Sequence, residues 1–183
     1  MSDARITLYR DTQFGGRAVA MGPCGTSHLG RDEGFNDQAS SIIVQRGIWL
    51  VYNDTDYSGP VHVLTPGEYP NPGAWRGQGN AISSLRPLPG VKGDGMLILF
   101  KNGSYGGRMV PITGPTADLK SIDFNNAASS VIVLGRSWLL HRDANFRGTT
   151  WPVSSSGGPD QNGYYPSASG FFDNDAISSL KPQ

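Results

Sequence analysis

Apolar and polar residues alternate over short stretches along most of the chain. Ile6 and Leu8 flank Thr7, and a similar alternation covers residues 61–63. A period of two places successive side chains on opposite faces of a β-strand, and turn-forming residues recur between these stretches. The pattern predicts antiparallel β-sandwiches with four short strands in each repeat described below, and no helix longer than a turn or two.

One six-residue phrase occurs four times, each time followed by an apolar run. The copies are Asn36-Asp37-Gln38-Ala39-Ser40-Ser41, Gly79-Asn80-Ala81-Ile82-Ser83-Ser84, Asn125-Asn126-Ala127-Ala128-Ser129-Ser130 and Asn174-Asp175-Ala176-Ile177-Ser178-Ser179. Asn, Asp and Ser side chains bond to nearby backbone, so one copy alone is most often just a turn. Their oxygens are also the ligands of hard cations such as calcium, and four copies at matched positions favour that role.

An aromatic position and a glycine seven residues later precede each phrase. The pairs are Tyr9 and Gly16, Tyr52 and Gly59, Phe100 and Gly107, and His141 and Gly148. A second aromatic stands two residues before each glycine: Phe14, Tyr57, Tyr105 and Phe146. Such a segment predicts two strands joined by a tight turn, in which glycine supplies a positive φ or room for a packed ring. His141 replaces an aromatic residue and is therefore expected to pack.

The spacing of the copies predicts the domain organisation. Tyr9 and Tyr52 lie 43 positions apart, as do Ser41 and Ser84, whereas the fourth copy carries extra residues within 154–163. Copies one and three resemble each other, as do two and four, which indicates a duplicated two-repeat domain. The predicted boundaries are a first domain at 1–88 with repeats at about 6–46 and 48–88, a Pro- and Gly-rich linker at 89–95, and a second domain at 96–183 with repeats at about 96–136 and 137–183.

The aromatic, glycine and serine positions together resemble the repeat of the βγ-crystallins. In the first copy these positions are Tyr9, Gly16 and Ser40, and all four copies have equivalents. The resemblance covers the whole chain apart from the linker and the fourth-copy insertion. It implies an all-β fold of two βγ-crystallin-like Greek-key β-sandwich domains, each with two repeats.

The phrase also resembles the calcium-binding version of that repeat, Asn/Asp-Asn/Asp-x-x-Ser/Thr-Ser. Copies one, three and four fit it, and copy two departs from it at Gly79. Vertebrate lens γ-crystallins generally carry degenerate versions and tend to be rich in Cys and Arg, whereas this chain has a single cysteine, Cys24. The chain therefore looks more similar to the calcium-binding microbial or invertebrate members.

In such members each calcium ion takes ligands from two paired repeats. One repeat supplies the second-position side chain and a hairpin carbonyl, and its partner supplies the third-position carbonyl and the fifth-position hydroxyl. Carried over by position, the resemblance implies four sites, two in each domain. The implied ligand sets are Asp37, Arg10, Ala81 and Ser83; Asn80, Asn53, Gln38 and Ser40; Asn126, Lys101, Ala176 and Ser178; and Asp175, Arg142, Ala127 and Ser129.

The charges of these ligand sets predict unequal sites. Calcium takes 6 to 8 oxygens, so water would have to complete a shell to which the protein contributes about four. Asp37 and Asp175 bring a carboxylate, whereas Asn80 and Asn126 bring only an amide. We expect dissociation constants of roughly 10⁻⁶ to 10⁻³ M, with the carboxylate site tighter in each pair.

Composition excludes several other partners. The 183 residues include 15 Lys and Arg against 15 Asp and Glu, and no basic run breaks this balance. A net charge of zero argues against nucleic acid or an anionic membrane as a partner. The expected partners are calcium ions, and the expected state is a monomer with paired domains. Because no apolar segment typical of a signal peptide follows Met1, a cytoplasmic location is expected.

Catalysis is not expected from this sequence. Its three histidines are His28, His62 and His141, and no Gly-x-Ser-x-Gly motif is present. Cys24 lies in a turn without a placed histidine, so it is interpreted as an idle thiol.

Two functions from different classes follow. The first is a calcium-binding structural or stress-type protein whose fold is stabilised by the ion. The alternative is a recognition module, toxin-like or protease-inhibitor-like, acting through the insertion loop beside Tyr164 and Tyr165. Trp49 and Trp138 occupy equivalent strand starts and are expected in a core or domain interface, while Trp75 has no counterpart and is the candidate for a surface contact.

Overall fold

The computed structural model describes residues 3–90 and 95–183. The chain divides into two compact units, residues 1–90 and 91–183. Residues 91–94 of the predicted linker lie outside the described residues. None of the helices among the described residues is long and apolar enough to cross a membrane.

The first unit contains seven strands. They are β1 (Arg5–Tyr9), β2 (Ala18–Met21), β3 (Ser41–Arg46), β4 (Trp49–Asp54), β5 (Ser58–Leu64), β6 (Gly67–Tyr69) and β7 (Ser84–Pro87). They form one four-stranded sheet in the order β2-β1-β3-β6 and one three-stranded sheet in the order β5-β4-β7. Every pair within these sheets is antiparallel.

The two repeats of the first unit exchange strands. β6 follows β5 in the chain, yet it pairs with β3 of the first repeat, where Ile42 lies opposite Tyr69. In return, Thr26 of the first repeat forms an isolated bridge with Leu85 of β7. This exchange is the Greek-key arrangement, and it brings the phrase of each repeat close to that of its partner.

One hydrophobic core lies between the two sheets of the first unit. Ile6 and Leu8 of β1 meet Trp49 and Val51 of β4 there, and all four side chains are fully buried. The alternation seen in the sequence places Ile6 and Leu8 on the same face of β1, because successive side chains of a strand point to opposite faces. The sheets therefore form a β-sandwich.

The second unit repeats this architecture. Its strands are β8 (Gly95–Phe100), β9 (Met109–Ile112), β10 (Ser130–Gly135), β11 (Trp138–Asp143), β12 (Arg147–Val153), β13 (Tyr164–Tyr165) and β14 (Ser179–Pro182). The sheets have the orders β13-β10-β8-β9 and β12-β11-β14, and β13 is the exchanged strand. The predicted fold class, two Greek-key β-sandwiches of two repeats each, is confirmed.

Helical structure among the described residues is limited to single short segments, as predicted. The α-helix α1 spans Leu29–Glu33, and 3-10 helices span Pro72–Trp75 and Leu119–Ile122. The prediction of four strands per repeat is wrong, because each unit forms seven among the described residues. The missing eighth strand is reduced to the bridges Thr26–Leu85 and Thr116–Leu180.

The tryptophans follow the prediction in two cases and contradict it in one. Trp49 and Trp138 are fully buried in the cores of their units. Trp75 is not a surface residue, because only 5% of it is exposed and it packs in the first core. Gly77 leaves room for this indole, since a Cβ there would lie 1.9 Å from Trp75 Nε1.

The insertion in the fourth repeat is folded against the second unit. The Tyr165 hydroxyl accepts from the Ser154 N–H at 2.9 Å, and the Gly163 N–H donates to the Gly157 carbonyl at 2.8 Å. Tyr165 is 2% exposed and belongs to the core. Under the recognition alternative Tyr165 would therefore be unavailable to a partner, while Tyr164 is half-buried.

Candidate functional site

The last serine of each phrase closes a hairpin in the same way in all four repeats. In the first repeat, Ser41 Oγ donates to the Asp11 carbonyl at 2.6 Å and accepts from the Phe14 N–H at 2.9 Å. The equivalent bonds are formed by Ser84, Ser130 and Ser179. All four serines are fully buried. The closing serine of the first repeat is thus Ser41, and the assignment of that place to Ser40 is wrong.

The closed hairpin carries the two aromatic positions seen in the sequence. Their rings lie 5.5 to 5.8 Å apart in all four repeats, in the pairs Tyr9–Phe14, Tyr52–Tyr57, Phe100–Tyr105 and His141–Phe146. The predicted glycines have φ between 66° and 74°. A side chain at Gly16 would also clash with the Asp11 carboxylate, since its Cβ would lie 2.5 Å from Oδ2.

The second residue of each phrase adopts the left-handed conformation. Its φ is 52° at Asp37, 55° at Asn80, 50° at Asn126 and 51° at Asp175. Asn and Asp tolerate this region better than other side-chain-bearing residues, because their short polar groups bond locally. All four of these side chains are exposed, so the turn presents an oxygen to the solvent.

Backbone hydrogen bonds join the two phrases of each unit reciprocally. The Asp37 N–H donates to the Ile82 carbonyl at 3.2 Å, and the Asn80 N–H donates to the Ala39 carbonyl at 3.0 Å. The second unit repeats this with Asn126 to Ile177 at 2.9 Å and Asp175 to Ala128 at 3.2 Å. The third-position residues, Gln38, Ala81, Ala127 and Ala176, lie between these anchor points.

The fifth-position serine of each phrase reaches the second-position side chain of the partner repeat. Ser83 Oγ donates to Asp37 Oδ1 at 3.0 Å, and Ser40 Oγ donates to Asn80 Oδ1 at 3.0 Å. In the second unit the pairs are Ser178–Asn126 at 3.0 Å and Ser129–Asp175 at 3.1 Å. These are the four cross-repeat pairings that the implied ligand sets contain.

The remaining implied ligands are the hairpin residues Arg10, Asn53, Lys101 and Arg142. Each directly follows an aromatic-position residue whose carbonyl accepts from a fifth-position serine N–H. The bonds are Ser40 to Tyr9 at 2.8 Å, Ser83 to Tyr52 at 3.0 Å, Ser129 to Phe100 at 3.0 Å and Ser178 to His141 at 2.9 Å. The hairpin therefore lies next to the phrase in all four repeats. The sixteen ligand assignments themselves stay a prediction.

The charge at these sites is low. Asp37 and Asp175 each accept from the preceding asparagine, Asn36 at 2.6 Å and Asn174 at 2.9 Å. Across residues 3–90 and 95–183, no three His, Cys, Asp or Glu side chains gather in a way that could hold a metal. A cation at the phrases would thus depend on a single carboxylate or amide together with neutral hydroxyl and carbonyl oxygens.

Sequence reasoning missed two arginines that support the phrases. Arg17 donates to the Gly34 carbonyl at 2.9 Å and to the Glu33 carbonyl at 2.7 Å, and its guanidinium lies 5.6 Å from the centre of the Phe35 ring. Phe35 directly precedes the first phrase. The bonds satisfy carbonyls at the end of α1 and so fix the backbone that leads into that phrase.

Arg108 does the same in the second unit. It donates to the Ile122 and Asp123 carbonyls, both at 2.9 Å, and lies 5.8 Å from the centre of the Phe124 ring. The sequence signal was an arginine directly after the hairpin glycine in copies one and three. Copies two and four have Pro60 and Thr149 there, so this support belongs to one repeat of each unit.

Comparison with known proteins decides the family. The Beta/Gamma crystallin family model matches residues 5–88 and 96–183. The chain belongs to the beta/gamma-crystallin family. The resemblance recognised from its repeats is thereby confirmed. Members of this family are structural, non-enzymatic proteins.

Relatives of this βγ-crystallin include invertebrate and vertebrate proteins. A beta/gamma-crystallin from Ciona intestinalis is 45% identical over 82 residues, which are 45% of this chain and 95% of that protein. Gamma-crystallin D from Bos taurus is 31% identical over 144 residues, covering 79% of this chain and 80% of the relative. The structure of geodin, a beta-gamma crystallin from Geodia cydonium, covers 100% of both chains with a TM-score of 0.71 at 18% identity, which shows the shared fold.

Proposed function

We propose that this βγ-crystallin binds calcium at the paired phrases, up to two ions per unit, and that ion binding stabilises its fold. The observation that carries the proposal is the set of four contacts between a second-position oxygen and the fifth-position hydroxyl of the partner repeat. Ser83 with Asp37 at 3.0 Å is the first of them. Four equivalent contacts, two exposed and two part-buried, favour a shared ligand over four unrelated turns.

The donor set has the chemistry that calcium requires. Calcium binds oxygens at 2.3–2.6 Å, so two oxygens 3.0 Å apart can both contact one ion. The serine hydroxyl now donates its proton to the neighbouring oxygen, and rotation of that proton would leave a lone pair for the ion. Carbonyls of the hairpin and of the partner phrase would add neutral oxygens, with water completing the shell. Asp37 and Asp175 supply the charge at the tighter sites.

Stabilisation follows from the way each site is divided between repeats. An ion at Asp37 and Ser83 would join residues of two repeats, and the unfolded chain cannot hold these oxygens together. A ligand that binds only the folded state adds about 2.7 kcal/mol per site at a hundredfold excess over its dissociation constant. The biological role that fits is a durable structural or stress-type protein, with calcium buffering as a secondary consequence.

Thermal unfolding with and without calcium tests the proposal. With calcium at a hundredfold excess over the dissociation constant, one filled site per unit should raise the melting temperature by roughly 10–20 °C relative to protein in chelator. Calorimetric titration of the same sample should give a saturable calcium isotherm. An unchanged melting temperature together with no calcium heat would reject the proposal.

The recognition alternative has no comparable support. The buried Tyr165 anchors the insertion loop by two hydrogen bonds to Ser154. No observation in the described residues favours a protein or carbohydrate partner for this loop.

A further inference from the structure

Three cations that are far apart in the sequence line one cavity in the second unit. Lys101, Arg108 and Lys120 surround an open cavity of about 460 Å³, and Asp123 is the single carboxylate among its described lining residues. This volume is typical of sites for small molecules. The cavity adjoins the third phrase, since Asn125 and Ala127 also line it.

The positive charge of this cavity is only partly neutralised. Arg108 is paired with Asp123, with 3.1 Å between Nη1 and Oδ2. Lys101 and Lys120 are exposed, and among the described residues no carboxylate lies within ion-pair distance of either ammonium. Two lysines without an ion-pair partner among the described residues therefore line the same cavity.

An amide donor adds to this pair of charges. In the first and fourth phrases the leading asparagine donates to the aspartate that follows it, at 2.6 and 2.9 Å. The third phrase has Asn126 in that place, and within the described residues the Asn125 side chain makes no such bond. Asn125 lines the cavity, so its amide group is available to an acceptor there.

The first unit provides an internal comparison in which these features are absent. Arg10 occupies the place of Lys101, and its Nε lies 3.2 Å from Asp11 Oδ1. In the second unit Asn102 stands in the place of Asp11, so the neutralising carboxylate is lost. The difference is local, because residues 9–16 and 100–107 align in sequence without an insertion.

Lys120 has no cationic counterpart in the first unit either. It follows Leu119, whose N–H donates to the Ser178 carbonyl at 2.8 Å, as Leu29 donates to Ser83 at 2.8 Å. The residue after Leu29 is Gly30, where a Cβ would lie 2.9 Å from Asn36 Cβ. The first unit thus has no room for a side chain at the place where the second unit has a lysine.

We propose that this cavity of the second unit binds a phosphate-bearing small molecule through Lys101, Lys120 and the Asn125 amide. A phosphate group offers several strong acceptor oxygens to the two ammonium groups, and bonds between charged groups are roughly twice as strong as neutral ones. The cavity is larger than a phosphate ion, which leaves space for the rest of a small phosphomonoester. Lys101 and Ala127 also belong to the implied calcium ligand sets of this unit, so the test uses metal-free protein.

Calorimetric titration of the metal-free full chain tests this site directly. Inorganic phosphate is the first probe and ribose 5-phosphate the second, both in about 0.15 M NaCl so that diffuse charge attraction is screened. Saturable binding of either probe is expected. A monoester that binds more tightly than phosphate assigns the cavity to an organic phosphate, and equal affinities assign it to the phosphoryl group alone.

Matched variants locate the site. Lys101→Met with Lys120→Met should weaken phosphate binding by about tenfold or more, whereas Arg10→Met with Arg31→Met in the first unit should change it less than about twofold. Asn102→Asp, which recreates the Arg10–Asp11 pairing beside Lys101, should also weaken binding. No saturable heat for the wild-type chain up to millimolar phosphate, or equal losses in the two double variants, would overturn the proposal.

Discussion

Ser83 donates its hydroxyl to Asp37 at 3.0 Å although 46 positions separate the two residues. The contact forms only because the two repeats of the first unit exchange strands, which brings their phrases together. Neither repeat alone could assemble this pair of oxygens. The proposed calcium sites would therefore depend on the integrity of the Greek-key pair.

Removal of the carboxylates should weaken calcium binding without unfolding the protein. Asp37→Asn and Asp175→Asn remove a charge but keep a residue that tolerates the left-handed backbone, which alanine would strain. The double variant should lose the tighter class of sites and bind calcium about tenfold or more weakly at them. Calorimetry measures the affinities, and urea unfolding in chelator measures the remaining stability.

Asp160→Asn is the matched control for that experiment, since Asp160 is an exposed residue of the insertion loop. It removes one of the two negative charges that the double variant removes, and it should leave the calcium isotherm unchanged. Equal weakening by the control would show that net charge, not ligation, explains the effect.

A carboxylate added to the weaker site of the first unit should strengthen it. Asn80→Asp keeps the left-handed turn and places a charge beside Ser40, whose hydroxyl now donates to Asn80 Oδ1 at 3.0 Å. The affinity of that site should rise severalfold, because calcium sites are tuned by the number of charged ligands. An isotherm identical to that of the wild type would contradict the ligand assignment at position 80.

Gly79 is a less useful place to complete the second phrase. A Cβ there would lie 3.0 Å from Pro72 Cγ, so Gly79→Asn has to displace the proline ring. In the first and fourth phrases the leading asparagine donates to an aspartate, and Asn80 offers no such carboxylate. Gly79→Asn alone should therefore leave calcium affinity within about twofold of the wild type.

The two adjacent serines of a phrase should respond differently to mutation. Ser41→Ala removes the bonds to the Asp11 carbonyl and the Phe14 N–H inside a fully buried corner, so it should destabilise the first unit by about 2–4 kcal/mol. Ser40→Ala removes only the exposed bond to Asn80 and should cost less than about 1 kcal/mol in chelator. Ser40→Ala should instead weaken calcium binding. Urea unfolding and calorimetry on both variants check this division, and a large loss of stability for Ser40→Ala would contradict it.

The features predicted correctly from the sequence are those that recur with a fixed period. Alternation in β1 and the matched Trp49 and Trp138 specify inner faces, because the period of two along a strand is a local property. The cross-repeat pairing of Asp37 with Ser83 followed from the family resemblance and from the equal spacing of the copies.

The features missed depend on contacts between distant parts of the chain. Alternation describes a strand but not its partner, so the exchange of β6 and the loss of the eighth strand are absent from the pattern. Trp75 lacks a counterpart in the other repeats, and the 3-10 helix that it ends is capped by Arg76, whose φ is 56°. Lys101 and Lys120 line the same cavity only after folding. The balanced charge along the sequence therefore gave no sign that they lie near each other.

His141 should make the stability of the second unit depend on pH. The imidazole is 3% exposed, and neither ring nitrogen has a hydrogen-bond partner among the described residues. Burial lowers its pKa below the ordinary value of 6.5, and the nearby Lys181 lowers it further. The unfolded chain then binds more protons than the folded chain between the two pKa values. The free energy of unfolding is not reduced by this group above about pH 6.5, and it falls as the pH drops below that value.

His141→Phe restores the aromatic residue found in the other three repeats and removes both buried nitrogens. The variant should be more stable than the wild type by about 1–3 kcal/mol at pH 8, because no polar group is left unsatisfied. The difference in the free energy of unfolding should grow between pH 6.5 and pH 5, since only the wild type then takes up a proton at this position on unfolding. Urea titrations at several pH values in chelator measure the difference, in which carboxylate titrations common to both proteins cancel. The pKa of His62 is also lowered by burial. His62 lies in the first unit and is present in both proteins, so its contribution cancels in the difference. A constant difference across this pH range would show that His141 does not titrate with unfolding.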